Sequence, residues 1–468
     1  MRQYGNDTTP THGQPDWMQE HSRMSRWTRW LPRLTADRAW LVFFLPALFS
    51  YLYMLRSQLN TKQTLGSVER LSPLLDELID PATRIEVVAE GFGWAEGPVW
   101  VSDKEQGREY LLFSDVVNNR VWKWEEGGGL FTLGKTVFLE RSGCRTDAER
   151  CAQLKEPGAN GLARVPASLV GNDNDVVLAM CEHGERRVSL MRPDGTKVAL
   201  ATHHDGRRLN SPNDLAFGKN GDLYFTDPSY GLNELEASPE RELDVNGVYR
   251  IRAAHVKKTL LLRHDGPALA TDGLKKQQQQ QQRDLQQGDA QQQQGAVELL
   301  EGDMSRPNGI AFSPDFDGYV GCDAYACSDG GALPHASVRQ RLRAATAVCA
   351  SLAERIAAWL YVANSDRARP HVRAYKVSKS GRLSEGRVFF DATPLAAGRV
   401  GNPDGLKVDA KGNVFATGPG GVLILSPKGE HLGTVLTGVK TGNVAFGSDG
   451  YLYITANDML QRVKLRRS

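Results

Sequence analysis

A short pattern that recurs after residue 90 constrains the fold more than any other feature of this chain. Five copies begin with a polar residue, usually followed by glycine, and lead into an apolar run, a turn and a second β-rich run; a degenerate sixth copy begins with glycine. The copies start at Glu96, Asn160, Asn213, Asn308, Asp404 and Gly442. Such units of three or four strands cannot bury both faces alone, so they stack around an axis. The pattern predicts an all-β fold, a six-bladed β-propeller, with a two-sheet sandwich as the alternative.

The two ends of the repeat region predict how the ring closes. After Asp458 the chain has room for one more strand, over residues 460–465, so the sixth blade lacks its outermost strand. The β-rich segment 84–89 lies just before the first copy and can supply that strand. We therefore expect strand exchange between the two ends of the propeller.

The region before the repeats divides into three parts. Residues 1–38 form a tail that is rich in arginine, and residues 39–55 form an uncharged run that predicts a transmembrane signal-anchor. A buried core helix is the alternative for this run. Residues 56–82 are expected to be a linker and residues 83–468 the propeller. The more basic upstream flank predicts a single-pass membrane protein with a cytoplasmic N-terminus and a luminal or extracellular propeller.

Composition and cysteine spacing exclude some classes of function. Lys and Arg together number 57 and Asp and Glu 55, which gives no global basic charge for binding nucleic acid. The six cysteines include no CxxC pair or Cys/His metal spacing. Cys144 with Cys151, and Cys322 with Cys327, are spaced for short disulfides in an oxidising compartment, whereas in a cytosol all six are inert thiols. The sequence leaves these cases and the oligomeric state open.

Four insertions interrupt the repeats. Residues 273–294 are rich in glutamine, and they and residues 316–358 are predicted to be poorly ordered and to lie on the face opposite the ring of polar residues. Residues 141–157 and 228–246 are predicted to lie on the same face as that ring. Loops at such a face usually determine substrate choice, so these two segments are lid candidates.

The repeat places one residue of each blade at the mouth of the central channel. Five of these six residues carry a side-chain oxygen, and none is Lys, Arg, His or Cys. Oxygen donors that include two carboxylates are typical of a hard cation such as Ca²⁺, whereas zinc usually takes nitrogen or sulfur ligands. Turn preferences alone explain Asn and Asp at such positions, but they explain Glu96 poorly.

A second set of residues ends the second strand of each blade and is expected beside or above the cation. Its members are Asp115, His183, Asp227, Asn364, Gly418 and Asn457. His183 is a candidate proton shuttle, with a structural hydrogen-bonding role as the alternative. The nearby Arg186 and Arg187 are candidates for holding an anionic group of a substrate, with surface solvation as the alternative.

Seven short motifs together resemble the gluconolactonase/senescence-marker-protein (regucalcin) family of calcium-dependent propeller hydrolases. They are Ala95–Pro98, Cys181–Arg187, Leu209–Asp214, Tyr224–Pro228, Arg306–Gly309, Pro403–Leu406 and Ala416–Gly421. The likeness covers about residues 85–466 outside the insertions. It implies a lactone hydrolase with one catalytic divalent cation, expected to be Ca²⁺, with Zn²⁺, Mg²⁺ and Mn²⁺ as alternatives.

The resemblance also implies roles for individual residues. The metal ligands fall on Glu96, Asn213, Asn308 and Asp404, and Asp404 is also the expected base or nucleophile. Asn213 is expected to hold metal or substrate. The other roles follow from position in or beside the two sets of residues: His183 is the candidate for proton transfer, and Asn160, Asp227 and Arg186 are the candidates for contact with the substrate. Hydrolysis of an aryl ester or a phosphotriester on the same metal, or a non-catalytic binding module, are the rival functions.

Overall fold

The strands of the repeat region form the predicted propeller. The computed structural model describes residues 44–51, 63–103, 107–127, 134–145, 147–171, 176–261, 295–314 and 358–466. Within these residues the repeats build five four-stranded antiparallel sheets and one five-stranded sheet. These sheets are the six blades, which confirms the all-β propeller prediction.

Strands of each blade run outward from the axis in chain order. Blade 1 contains Ala95–Asp103, Arg108–Asp115, Arg120–Trp124 and Lys135–Glu140. Blade 2 contains Ala159–Arg164, Leu178–Glu182, Arg187–Met191 and Lys197–Ala201. Blade 3 contains Leu215–Phe217, Leu223–Asp227, Gly247–Ile251 and Val297–Glu301. Blade 4 contains Pro307–Phe312, Ala358–Asn364, His371–Val377 and Leu383–Asp391.

The last two blades each take a strand from the region before the first repeat. Blade 5 contains Leu406–Val408, Val414–Gly418, Gly421–Leu425 and His431–Leu436, followed by Ser67–Arg70. Blade 6 contains Asn443–Phe446, Tyr451–Ala456 and Met459–Lys464, followed by Ile85–Glu90. The antiparallel pairing of Ile85–Glu90 with Met459–Lys464 confirms the predicted ring closure.

Part of the segment expected to be a linker belongs to the propeller. The strand Ser67–Arg70 pairs with His431–Leu436, and a 3₁₀ helix follows over Pro73–Glu77. Leu75 and Ile79 are fully buried in the core next to blades 5 and 6. The compact unit accordingly begins at Gln63. A four-residue edge strand of mixed polarity gives no periodic signal, so the sequence pattern does not reveal it.

Short helices and one small hairpin occupy the connections. The α-helices are Ala148–Gln153, Ala167–Val170, Ala253–Leu261 and Thr393–Ala396, and a second 3₁₀ helix spans Leu235–Ala237. The strands His203–His204 and Arg207–Arg208 form a separate two-stranded hairpin. Large apolar side chains fill the spaces between blades; for example, Trp100 of blade 1 stacks on Tyr453 of blade 6 at 5.3 Å. Burial of one such side chain contributes about 1.5–3 kcal/mol to folding.

Several predicted segments lie mostly outside the described residues. Of the predicted signal-anchor, residues 44–51 are described, and they are helical. No helix in the described part of the chain combines the length and the apolar character needed to cross a bilayer. Residues 39–43 and 52–55 of the predicted anchor lie outside the described residues. The basic tail 1–38, the Gln-rich insertion 273–294, the pair Cys322 and Cys327, and the insertion 316–358 except Ala358 lie outside the described residues.

Candidate active site

Glycines in the repeat allow the first strands to approach each other closely at the axis. A Cβ atom on Gly97 would lie 1.9 Å from the backbone oxygen of Asn160, and one on Gly309 would lie 2.2 Å from that of Asp404. Any larger residue would therefore force the neighbouring blades apart. The glycine that follows the polar residue in the repeat is explained by this packing.

Contacts between neighbouring blades bring the predicted ring residues together. The backbone N–H of Gly161 donates to the oxygen of Asn213 at 2.7 Å, and that of Gly405 donates to the oxygen of Gly442 at 2.7 Å. A Cβ atom on Gly442 would lie 2.3 Å from Oε1 of Glu96, so blade 6 contacts blade 1 in the same way. These contacts place the first strands side by side around the axis, as the sequence pattern predicts.

Two carboxyl groups in this ring, those of Glu96 and Asp404, are unfavourable in their charged form when no cation is nearby. Burial, together with repulsion by the carboxylates of Asp214 and Glu156, raises the pKa of Glu96 to about 8. Burial also raises the pKa of Asp404 well above its usual range, and Glu96 adds to this shift by repulsion. No Lys, Arg or His of the described residues forms an ion pair with Glu96 or Asp404. A positive charge placed between these groups would relieve the repulsion.

The donor set around the ring fits a hard divalent cation. The amide of Asn308 donates a hydrogen bond to the Asp404 carboxylate, and the side chains of Asn160 and Asn213 are buried in the same ring. In the part of the chain with described coordinates, no group of three His, Cys, Asp or Glu residues could hold a metal ion. A cation at the ring would thus depend on amide oxygens as well as carboxylates, which is a typical calcium environment.

The channel is closed next to the ring by groups from three blades. Asp214 and Asn443 belong to opposite blades, 3 and 6, and the Asn443 amide donates to Oδ2 of Asp214 at 3.2 Å. Nζ of Lys407 lies 3.3 Å from Oδ1 of Asn443 and 3.8 Å from Oδ2 of Asp214. The Lys407 ammonium therefore balances Asp214, whereas no basic group among the described residues would balance a charge on Glu96 or Asp404.

Residues at the ends of the second strands orient the segments that lead into the ring. Oδ1 of Asp115 accepts from the backbone N–H of Trp94 at 3.2 Å, two residues before Glu96. Oδ1 of Asn364 likewise accepts from the N–H of Arg306 at 2.9 Å, two residues before the ring residue of blade 4. These members of the second set thus position the ring residues through the backbone.

Asp227 has the same positioning role, and it lies away from the opening. Its Oδ2 accepts from the backbone N–H of Asn210 at 2.7 Å, and the side chain is fully buried. Arg186 is also buried, and its guanidinium donates to the backbone oxygens of Leu209 at 2.9 Å and Glu240 at 2.8 Å. The structure does not bring either predicted substrate contact to the surface of the channel mouth. Both side chains instead hold the loops that surround Asn213.

His183 is fully buried beneath a lid rather than exposed to the channel mouth. Its Nδ1 lies 3.3 Å from Oε2 of Glu156, and neither ring nitrogen has an aligned hydrogen-bond partner among the described residues. The Glu156 side chain is one-third exposed, so Glu156 and not His183 faces the opening. This arrangement lets His183 position Glu156 instead of meeting a substrate directly.

Comparison with known proteins identifies the family. The profile of the SMP-30/gluconolactonase/LRE-like region matches residues 94–275 and 336–458, which is more than half of the chain. The chain belongs to the SMP-30/gluconolactonase/LRE-like family. A gluconolactonase from Zymomonas mobilis is 31% identical over 409 residues, which cover 86% of this chain and 87% of that protein. The solved structure of a gluconolactonase from Xanthomonas campestris is 22% identical, covers 86% of this chain and 97% of that one, and superposes with a TM-score of 0.55.

The two lid candidates of this family member contact each other. A disulfide joins Cys144 to Cys151 in the first lid, residues 141–157. Arg150 of the first lid forms an ion pair with Glu240 of the second lid, residues 228–246, at 2.8 Å. The amide of Asn233 in the second lid also donates to the backbone oxygen of Gln153 at 3.0 Å. The two loops therefore form one connected cover beside the ring.

Each lid contributes a side chain that the sequence pattern did not indicate. Glu156 of the first lid lies close enough to Glu96 and Asp404 to raise the pKa of each carboxyl group. Tyr230 of the second lid forms a hydrogen bond with Ser365, and the carboxylates of Asp404 and Glu156 raise its pKa in addition to the effect of burial. Both residues lie in non-repeating loops, so no periodic signal could have identified them.

A cavity of about 290 Å³ opens beside Asp404. Its walls include the aromatic ring of Trp94, which also donates from Nε1 to Oε1 of Glu96 at 3.3 Å. The other lining residues are Ser365, Arg367, Ala396, Arg399, Val400, Gly401, Asn402, Lys440 and Thr441. Its size is close to the lower end of the range for small-molecule sites, about 300–1,000 Å³. The cavity is thus suited to a small polar substrate next to the carboxylates of the family ring.

Proposed function

We propose that this protein hydrolyses lactones with the help of a divalent cation, for which Ca²⁺ is the best candidate. The observation that carries the proposal is the pair of carboxyl groups, Glu96 and Asp404, whose pKa values are raised at the axis without a basic partner among the described residues. Asn213 and Asn308 complete the proposed ligand set. Lactone hydrolysis agrees with the 31% identity to a gluconolactonase over most of both chains.

The proposed chemistry uses Asp404 as the group that handles protons. A cation bound at the ring would polarise the lactone carbonyl and stabilise the developing oxyanion. Asp404 accepts a proton from the attacking water while the water oxygen bonds to the carbonyl carbon. The same proton passes to the ring oxygen of the lactone as the C–O bond breaks. Water is consumed and a hydroxy acid is released, so no other reactant is needed.

The remaining ring and lid residues would position the substrate. Asn160 and Asn213 present buried amides at the channel mouth, where they can bind hydroxyl groups of a sugar lactone. Ser365 lines the cavity beside Asp404 and is hydrogen-bonded to Tyr230, so both can contact the same substrate. The small polar cavity favours a sugar lactone over a bulky aryl ester or phosphotriester.

A panel of lactones, aryl esters and phosphotriesters tests the proposal. We expect lactone hydrolysis that EDTA abolishes and that added Ca²⁺ restores, with Mg²⁺, Mn²⁺ and Zn²⁺ as comparisons. Activity on phosphotriesters alone, or activity that EDTA leaves intact, would contradict it. Binding of the panel without any hydrolysis would support the non-catalytic module instead.

The substitution Asp404→Asn tests the role of the proposed base. It keeps the shape of the side chain but removes the proton acceptor, so turnover should fall by about 10²–10⁴-fold. Because it also removes a buried like charge, the metal-free variant should melt at a higher temperature than the metal-free wild type. Asp409→Asn, in an exposed turn at the opposite face, is the control. Retained lactonase activity in Asp404→Asn would refute the assignment.

A further inference from the structure

The cavity beside Asp404 has an excess of positive charge on its outer wall. Three basic residues line it, Arg367, Arg399 and Lys440, and Asp404 is the single acidic one. Arg399 is neutralised, because its two terminal nitrogens donate to the carboxylate of Glu69 at 2.8 and 3.0 Å. The positive charge that remains comes from the other two residues.

Arg367 and Lys440 are exposed and are held by no partner of opposite charge. Neither side chain forms an ion pair or a hydrogen bond with another residue in the described ranges. Arg367 follows the second strand of blade 4, and Lys440 lies between blades 5 and 6. The two side chains therefore reach the same cavity from separate elements of the fold.

Of the acidic groups of the site, Asp404 lines the cavity itself, and Glu156 reaches the channel mouth from another side. Glu156 comes from the lid that leads into blade 2, which is opposite blade 5 in a six-bladed ring. With Glu96 and Asp404 it forms the negative part of the site, which is directed at the proposed cation. The mouth is thus polarised, with acidic groups around the axis and two unpaired basic groups at the outer wall of the cavity.

We propose that the substrate is a lactone that carries an anionic substituent, a carboxylate or a phosphate, at the end remote from the lactone carbonyl. The inference rests on the proposed lactonase function and adds the class of substrate. With the carbonyl next to Asp404, the anionic group lies against Arg367 and Lys440. A guanidinium binds a carboxylate or phosphate through paired hydrogen bonds, and an ammonium adds a point charge. A neutral sugar lactone would leave both cations with water alone.

Matched pairs of lactones test this proposal in the full-length protein. Glucono-1,5-lactone is compared with its 6-phosphate, and galactono-1,4-lactone with galactaro-1,4-lactone, which carries a free carboxylate. We expect a higher kcat/KM for at least one charged member of a pair, and the pair concerned distinguishes phosphate from carboxylate. This preference should shrink as ionic strength rises, because exposed charges are screened by salt.

The double substitution Arg367→Gln with Lys440→Gln identifies the residues responsible. We expect the KM for the charged lactone to rise about tenfold and the KM for its neutral partner to stay within about twofold, since only charge-assisted hydrogen bonds are lost. The control is Lys379→Gln with Lys411→Gln, which removes two exposed lysines from turns at the opposite face. The control should behave as the wild type with both substrates.

The possible failures of the two proposals are distinguishable. Equal kcat/KM for charged and neutral lactones, or equal losses with both in the double variant, would overturn the anion site and leave the lactonase function standing. Calorimetric binding of 6-phosphogluconate against gluconate measures the anion site without turnover. Tighter binding of the phosphate, lost in the double variant, would support the site even if no lactone were hydrolysed. Equal binding here, together with equal binding of galactarate and galactonate, would overturn it.

Discussion

The ionisation of the carboxyl groups at the axis depends on what surrounds each residue. Glu96 is buried in a ring with amides and lies near Asp404, and Glu156 of a lid lies close enough to affect both carboxyl groups. Their mutual repulsion disfavours ionisation in the metal-free protein, and we expect it to favour binding of a cation at the ring. The behaviour of these carboxyl groups therefore depends less on their residue types than on how burial and blade packing bring them together.

The pH dependence of metal-free stability follows from the shift at Glu96. The pKa of Glu96 is about 8 in the folded protein, whereas its ordinary value is 4.5. Between these two pH values, the folded state therefore holds a proton that the unfolded state has lost. Stability in EDTA should therefore fall as pH rises from about 4.5 to about 8. Thermal melts across this range measure the effect, and Ca²⁺ should remove the loss because its ligands bind deprotonated. Glu96→Gln should flatten the slope, and an unchanged slope in that variant would contradict the assignment.

The charge of Glu156 should strengthen cation binding from the lid. Glu156→Gln keeps the shape and removes one negative charge facing the ring, which should weaken Ca²⁺ binding by about tenfold, or about 1.4 kcal/mol. Calorimetric titration of Ca²⁺ measures this change. Glu149→Gln is the control, because Glu149 is exposed on the same lid. Equal affinities in the two variants would show that Glu156 does not contribute.

At the scale of elements, the second strands and the lids contribute to the site in different ways. The second-strand ends hold the segments before Glu96, Asn213 and Asn308 through backbone hydrogen bonds. The lids bring Glu156 and Tyr230 to the same site. The proposed cation site thus depends on the second strands for the position of its ligands and on the first lid for the nearby charge of Glu156.

The disulfide should order the first lid with little effect on the whole propeller. Cys144 and Cys151 are separated by seven positions, and in the chain-entropy description a loop of this size stabilises the folded state by about 2–3 kcal/mol, which shifts the melting temperature of so large a domain by only about a few degrees. Replacing both cysteines by serine should speed proteolysis within residues 141–157 and raise KM, while the global melting temperature changes little. A reductant should have the same effects on the wild type and none on the variant. Unchanged KM and protease resistance would show that the lid is ordered without the disulfide.

At the scale of the whole molecule, stability depends on two strands that precede the first repeat. Ile85–Glu90 closes blade 6, and Ser67–Arg70 covers blade 5. Arg462 is buried at the closure, where it donates to Glu86 at 2.8 Å and to both oxygens of Glu126 in blade 1. The ring is therefore held by contacts between the distant ends of the repeat region.

Two truncations test this closure. Deletion of residues 1–62 leaves both strands in place, so the remaining protein should stay folded and active. Deletion of residues 1–90 removes both strands and exposes two sheet edges, so the protein should unfold or aggregate. Circular dichroism, thermal melts and lactonase assays compare the two proteins. A stable, active protein without residues 1–90 would rule out the closure.

The sequence alone determined the parts of this protein that repeat. The blade number, the ring closure by residues 84–89 and the polar residue at the start of each first strand are local signals that recur with a period, so each copy supports the others. The family resemblance rests on these same segments. The glycine after the polar residue is another repeated feature that the sequence alone reveals. The physical reason for it, the close approach of neighbouring blades, is visible only in three dimensions.

Only the tertiary structure decided the features that occur once. Glu156, Tyr230, Arg367 and Lys440 lie in loops without periodicity, and their proximity to Asp404 results from contacts between residues far apart in the chain. The extra strand Ser67–Arg70 and the inward packing of Arg186 were missed for the same reason. Local sequence cannot encode such contacts, because loop placement depends on the packing of all six blades around one axis.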